Sequence, residues 1–189
     1  MRSLIFFMHT SLDGFVAGPN GEMNWIKVDE EIFDFVGTMT AQADTALYGR
    51  VTYEMMQSYW PEAGKEPGAS KHDIEHSEWY NRVAKVVLSR TMKEEGLENT
   101  RVIADNLSEN INKVKGQGDK NILIFGSPGA SQSLLREGLI DEFWLFVNPI
   151  ILCEGMPLFK NVTLTKLALV ESKSFKCGVV ALHYKKSDQ

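Results

Sequence analysis

The order of the apolar runs constrains this chain more than any other feature. Five short runs, at residues 3 to 9 and in TALYG, AKVVLS, TRVIA and NILIFG, are interspersed with helical spacing; three strand-like segments without intervening helices follow, DEFWLFVNPIIL, LTKLALVESKSF and GVVALHYKK. Short continuous apolar runs suit strands covered on both faces, and parallel strands need crossovers between them, usually helices. The pattern predicts an α/β fold with a mainly parallel sheet. The last two segments, joined by a short Lys-Cys-Gly turn, predict an antiparallel hairpin at its C-terminal end.

The crossovers are legible as well. From Asp29 to about Ala43, the residues Ile32, Phe35, Val36, Met39 and Ala43 recur at helical spacing behind an acidic DEE that suits the positive end of a helix dipole. RVTYEMMQSYW predicts a helix that stops before Pro61, and residues 61 to 73 a flexible loop, by their proline, glycine and charge content. NLSENINKVKGQ and SPGASQSLLREGL are two more helices, and SKHDIEHSEW is polar enough to be a solvated one.

With 189 residues, 43% of them hydrophobic, the chain suffices for one buried core, so residues 1–189 are expected to form a single domain. The N-terminal apolar run is too brief for a secretory signal, and no stretch approaches the roughly 20 apolar residues that cross a bilayer, so a cytoplasmic protein without a membrane partner is expected. A net charge of −5 argues against nucleic acid, which calls for a basic face. Cys153 and Cys177 stand alone, as reduced thiols would, and His9, His72, His76 and His183 make no metal motif, so no metal is expected.

Open α/β sheets bind ligands outside the carboxyl ends of their strands, where helix N-terminal amides can receive anions. Three junctions here carry the chemistry for that. In YGRVTYE, Gly49 permits close backbone approach, Arg50 offers a guanidinium and Thr52 a hydroxyl; in FGSPGASQS, Gly126 and Gly129 bracket a turn where Ser127, Ala130 and Ser131 present amides or hydroxyls; in VVLSRT, Arg90 lies between Ser89 and Thr91. Each turn alone would more often be structural, but three together suggest a ligand with several phosphates. Neither G-x-G-x-x-G nor the P-loop pattern is present.

Taken in order, SLDGFVAGPNGEMNW, ADTALYGRVTYEMM, VVLSR, ILIFGSPGASQSLL and DEFWLFVNPIILCEGMPLF resemble the dihydrofolate-reductase-like superfamily. The branch they resemble most is that of stand-alone proteins similar to the reductase domain of the bifunctional riboflavin-biosynthesis deaminase/reductase. The resemblance implies a three-layer fold with helices on both sheet faces, and an NADPH-dependent reductase acting on a pterin or a ribosylaminopyrimidine-type heterocycle. It implies that Gly49, Arg50 and Thr52 contact the cofactor phosphates, that Ser89 and Arg90 stand near the adenosine end and its 2′-phosphate, and that Gly126, Ser127, Gly129, Ala130 and Ser131 wrap the pyrophosphate. The loop from Ser11 to Trp25 would be a mobile flap over the nicotinamide, its Gly14, Gly18 and Gly21 allowing movement and Asp13 anchoring its base on nearby amides.

An acid on the first helix would help deliver a proton. Glu30 and Asp34 share a helix face opposite the apolar stripe, as a solvated pair would; Asp29 lies at the stripe's edge, where partial burial could raise its pKa, and ranks slightly first as an acid or substrate anchor. Asn148 and Pro149, at a strand end, and Trp25, closing the loop, are the substrate-side candidates, a purely structural strand end being as good an account of the first two. Cys153 and Glu154 replace a glycine and its neighbour in the family's substrate-side loop. The chain lacks the zinc deaminase motifs H-x-E and P-C-x-x-C. The alternative to a reductase is a non-catalytic nucleotide-binding homodimer that keeps the cleft without an efficient proton donor. A homodimer is expected in either case, from the resemblance and from the apolar face or unpaired edge that DEFWLFV and the hairpin would leave.

Overall fold

The computed structural model of the protein describes residues 1–187 of the 189. In chain order the elements are β1 (Leu4–Thr10), β2 (Phe15–Ala17), α1 (Glu30–Ala41), β3 (Ala43–Gly49), α2 (Arg50–Ala63), α3 (Lys71–Arg82), β4 (Ala84–Leu88), β5 (Thr100–Ile103), α4 (Leu107–Lys115), β6 (Asn121–Phe125), α5 (Pro128–Arg136), β7 (Glu142–Val147), β8 (Met156–Pro157), β9 (Leu167–Ser174) and β10 (Val180–Lys186). Eight strands form one sheet in the order β5-β4-β3-β6-β1-β7-β10-β9. β5 through β7 pair in parallel, and β10 joins β7 and β9 antiparallel, as the apolar runs predict.

Side chains alternate across a strand, so β1 serves two cores at once. Ile5 and Phe7 pack with Ile32, Val36 and Met39 of α1, Tyr53 of α2, and Trp79 and Tyr80 of α3. Leu4, Phe6 and Met8 pack on the other face with Ile111 and Val114 of α4 and Leu134 and Leu135 of α5. Helices therefore cover both faces, and no helix among the described residues is long and apolar enough to cross a membrane.

Several boundaries differ from expectation. α1 stops at Ala41, and Ala43 opens β3. α2 runs through Pro61 to Ala63, because a proline in a last turn removes little of the ladder, and the Pro61 carbonyl accepts from the Asn81 side chain at 3.1 Å. The expected loop shrinks accordingly, since α3 begins at Lys71. Nor is α3 a solvated helix: Ser77, Trp79 and Tyr80 are buried, and the His76 ring lies 4.1 Å from that of Trp60. Histidine counts as polar in a pattern but packs as a flat ring. β7 ends at Val147, and the following segment forms β8, which pairs with β2 in a two-stranded sheet that the sequence pattern does not reveal.

Candidate functional site

At the carboxyl ends of β3, β4, β5 and β6 lies a cleft of about 720 Å³. Of the residues expected at a cofactor site, Gly49, Arg50, Thr52, Ser89, Arg90, Ser127, Gly129 and Ala130 line it. Gly126 and Ser131 lie behind that wall. The Gly126 amide donates to the Phe7 carbonyl at 3.2 Å, and the buried Ser131 hydroxyl donates to the Gly126 carbonyl at 3.2 Å, so these two shape the turn. Gly126 and Ser127 both adopt positive φ, 58° each, which glycine takes freely and serine rarely. Ser127 is held there by its hydroxyl, which accepts from the Gly49 amide at 2.9 Å and donates to the Phe125 carbonyl at 3.3 Å, tying β6 to the β3 turn. Serine 89 is similarly occupied: its Oγ accepts from the Thr91 and Met92 amides.

The helices that open at this cleft share one property. α2, α4 and α5, with Gly49, Asn106 and Ser127 at their N-caps, have no side-chain cap, and Pro128 supplies no amide to the first turn of α5. The first-turn amides therefore keep their hydrogen-bonding capacity and the positive end of the dipole. Arg50, Arg90 and Arg136 add three guanidinium groups to the lining, and Asp105 and Glu137 two carboxylates. Among the described residues Arg50 pairs only with Glu54, at 2.8 Å with both partners exposed, a contact worth about 1 kcal/mol at most and readily given up to a stronger anion.

Asp105, Ser133, Arg136 and Glu137 line the cleft without having been anticipated. Two signals could have found them. Asp105 follows a strand end directly, and Ser133, Arg136 and Glu137 follow Gly129 at helical spacing on one face of α5.

The opening loop is built into the structure at its base. The Asp13 carboxylate accepts from the Leu152 amide at 3.1 Å and the Cys153 amide at 2.8 Å, as expected of an anchor. These bonds, with a larger contribution from the Ser11 side chain, hold its pKa below the ordinary value. The Leu12 amide donates to the Ile150 carbonyl at 2.8 Å, and β2 pairs with β8, whose Met156 lines the cleft. Gly14 and Gly21 are favoured by φ of +85° and +88°, whereas Gly18 has no positive φ and faces only the movable carboxylate end of Glu22. The glycines thus define turns.

The three acids on or near α1 do other work. Asp29 is the N-cap of α1, accepting from the Ile32 amide at 2.9 Å, and that bond lowers its pKa, the reverse of the rise expected from partial burial. Asp34 pairs with Lys71 at 2.8 Å, and Glu30 and Asp34 line a separate small hollow with Phe33, Lys71 and His72. None of the three lines the cleft.

Asn148 is fully buried and presents no face to substrate. Its Oδ1 accepts from the Lys27 amide at 2.8 Å, and its Nδ2 donates to the Thr10 and Phe146 carbonyls and lies 3.3 Å from His9 Nδ1. It joins β1, β7 and the chain entering α1. Pro149 beside it is exposed, and Trp25 is half-buried with its Nε1 donating to the Glu22 carbonyl at 3.0 Å. Phe125, the last residue of β6, carries an aromatic cluster on the α1 face: Phe7, Tyr48, His76 and Trp79 lie 5.5 to 6.3 Å from it. Burial pushes His76 down to about 3 and His9 to about 4, so both rings are neutral. The Tyr48 hydroxyl and Trp79 Nε1 are buried there without a hydrogen-bond partner among the described residues.

Comparison with known proteins agrees with this architecture. The chain is 34% identical to the uncharacterized protein YyaP of Bacillus subtilis (strain 168), over 97% of this chain and 94% of that protein, and 27% identical to the uncharacterized YwjB of the same organism, over 97% of each. Among solved structures, a candidate riboflavin biosynthesis protein from Shewanella sp. PV-4 is 25% identical with a TM-score of 0.75, covering 98% of this chain and 99% of that one. The bifunctional diaminohydroxyphosphoribosylaminopyrimidine deaminase/5-amino-6-(5-phosphoribosylamino)uracil reductase of Thermotoga maritima shares the fold, with a TM-score of 0.69 at 15% identity over 98% of this chain and 57% of that one. The family model for the RibD C-terminal domain matches residues 2–181, and the chain, with its dihydrofolate-reductase-like fold, belongs to that family.

Proposed function

We propose that the chain is an oxidoreductase that uses a nicotinamide nucleotide, NADPH in the first instance, to reduce a pterin or a ribosylaminopyrimidine-type heterocycle. The observation that carries this reading is the convergence of three uncapped helix N-termini and three arginines on one cleft. The wall is open where a diphosphate would need it, because a Cβ added at Gly129 would meet nothing within 4 Å. At Gly49 the backbone is already close, an added Cβ falling 3.3 Å from that of Ala130.

When bound, the nicotinamide supplies the two electrons and the hydrogen that reduce a carbon–nitrogen double bond. The protein's own part is to bind and orient. The Gly129 and Ala130 amides, with Arg50 and Thr52, hold the diphosphate, while Ser127, Gly126 and Ser131 keep the turn in shape. Arg90 and Ser89 take the outer end, where Arg90 meets a 2′-phosphate and the Asp105 charge opposes it. Preference for NADPH over NADH is the balance of these two. The substrate lies toward the carboxyl end of β1, on the α1 face. Membership of the RibD C-terminal domain family supports the chemistry, as does the reductase activity in the Thermotoga neighbour's name.

The displacement of Asp29, Glu30 and Asp34 from the cleft favours a second reading, a nucleotide-binding protein without turnover. Titration with NADPH and NADH, followed by oxidation assays with 5-amino-6-(5-phosphoribosylamino)uracil and with dihydrofolate, separates the two. Tryptophan quenching with oxidation supports the reductase, quenching without oxidation supports the binding protein, and absence of both removes the nucleotide reading. We further propose a homodimer, with β9 as the contact: it ends the sheet, and Leu169 and Val170 are exposed on it. Light scattering of the purified chain tests this, a monomer at micromolar concentration counting against it.

A further inference from the structure

None of the α1 acids lines the cleft, and neither does His9, but His9 stands at the carboxyl end of β1, beside the strand that leads into the Gly126 turn. We propose that His9, through its Nε2–H, donates a hydrogen bond to the substrate nitrogen that gains electron density during reduction. This rests on the reductase reading.

Three observations place the ring. First, the Gly126 amide bonds to the Phe7 carbonyl, so β1 runs directly beside the phosphate-side turn. His9 lies two residues further, ~7 Å along the strand on the same face as Phe7, at the carboxyl edge where ligands of such sheets bind. Second, the ring packs against a pair of touching phenyl rings, its centroid 5.6 Å from that of Phe7 and 5.1 Å from that of Phe146. Third, its tautomer is dictated by Asn148. Because the Lys27 amide can only donate, Oδ1 faces Lys27, and because the Thr10 and Phe146 carbonyls can only accept, Nδ2 faces them and His9. The two amide hydrogens are shared among three acceptors, but an amide nitrogen cannot accept, so an Nδ1–H aimed at it would find no partner; His9 Nδ1 faces it with its lone pair and the proton is on Nε2. That nitrogen has no protein partner among the described residues, and the residue is only partly buried. Burial alone shifts the ring, with no charged group acting on it from β1, β7 or the segment that brings in Lys27.

A neutral imidazole is a hydrogen-bond donor and a very poor acid. It therefore keeps its proton. As the carbon of the C=N bond is reduced, the π electron pair moves to nitrogen, where Nε2–H stabilises it until water delivers the one proton that completes the N–H. The buried brace Asn148, chosen from sequence as a substrate contact, becomes a positioning residue that acts through His9.

The test uses the full chain and has two independent readouts. In long-range ¹H–¹⁵N spectra, with His9 assigned by its loss in His9→Gln, the ring is expected as the neutral Nε2–H tautomer from pH 8 down to about 5. With the uracil substrate named above, His9→Phe is expected to lower kcat about 100-fold with KM and NADPH binding changed less than about threefold, and His9→Gln, whose amide can still donate, to recover about tenfold of that loss. A protonated ring or an Nδ1–H tautomer at pH 7 overturns the proposal, as does His9→Phe turning over at the wild-type rate. A wild-type chain that oxidises no NADPH fails the reductase reading and takes this proposal with it, an outcome distinguishable from the others because the spectra report on the ring without turnover.

Discussion

The five helices among the described residues divide into two kinds at their N-termini. α1 and α3 are closed by side chains: Asp29 accepts from the Ile32 amide, and Ser70 and Asp73 form a reciprocal capping box. α2, α4 and α5 begin without any such cap, and all three open on the cleft. A terminus without a side-chain cap forgoes from a few tenths of a kcal/mol, at a glycine such as Gly49, to about 1 kcal/mol of helix stability. That three of the five helices among the described residues forgo it at one edge of the sheet, while the other two are closed, leaves unpaired amides at that edge, as the anion binding proposed above requires.

The strongest way to break this comparison is to fill one open terminus. Gly129 has room for a side chain, and a carboxylate in a first helical turn suits the dipole, so Gly129→Asp is expected to retain or raise the melting temperature while weakening NADPH binding more than about 100-fold. Calorimetry and fluorescence titration check the two halves, and a variant that binds as wild type would detach α5 from the nucleotide site. Removing one charge is milder. Arg50→Ala is expected to weaken binding about 10- to 100-fold, the value of a charge-assisted hydrogen bond, with a steeper loss at low salt than at high.

The capped helices should respond in the opposite sense. Ser70→Ala is expected to cost about 1 kcal/mol in denaturant unfolding and to leave NADPH affinity within about twofold. Asp29→Asn keeps a cap and removes an acid, so stability and kcat should both stay within about twofold; a large fall in kcat would restore Asp29 as a proton donor.

The smallest effect concerns pH. His9 and His76 are neutral in the fold and take up protons more readily when unfolded. The unfolded chain therefore binds more protons below the ordinary 6.5, and stability is full above that value and falls as pH drops toward 4 for His9 and 3 for His76. His76→Phe should flatten the lower part of that curve, measured as melting temperature against pH.

Much of the cleft is legible in the residues. Gly49, Arg50, Ser89, Arg90, Ser127, Gly129 and Ala130 stand at strand ends, and in a parallel sheet all strand ends of that kind meet at one edge whatever the details of packing. Gly126 and Ser131 lie one layer behind the cleft wall, because a motif gives residue type and order but not which side of a turn faces outward. The acids were misplaced for a related reason: whether a carboxylate at a helix start caps the helix or faces a ligand depends on a rotation of that residue, and Asp29 is turned toward Ile32.

Periodic patterning by itself determined the eight strands of the main sheet, most of the helices and the antiparallel end, since alternation and helical spacing are local properties that each segment carries alone. Only the tertiary structure decided that β2 would pair with β8, that Asp13 would clasp the amides of Leu152 and Cys153, and that Asn148 would fix the His9 ring. These contacts join segments far apart in the chain. Their geometry follows from how the whole sheet twists and packs, and no single stretch of sequence holds that information.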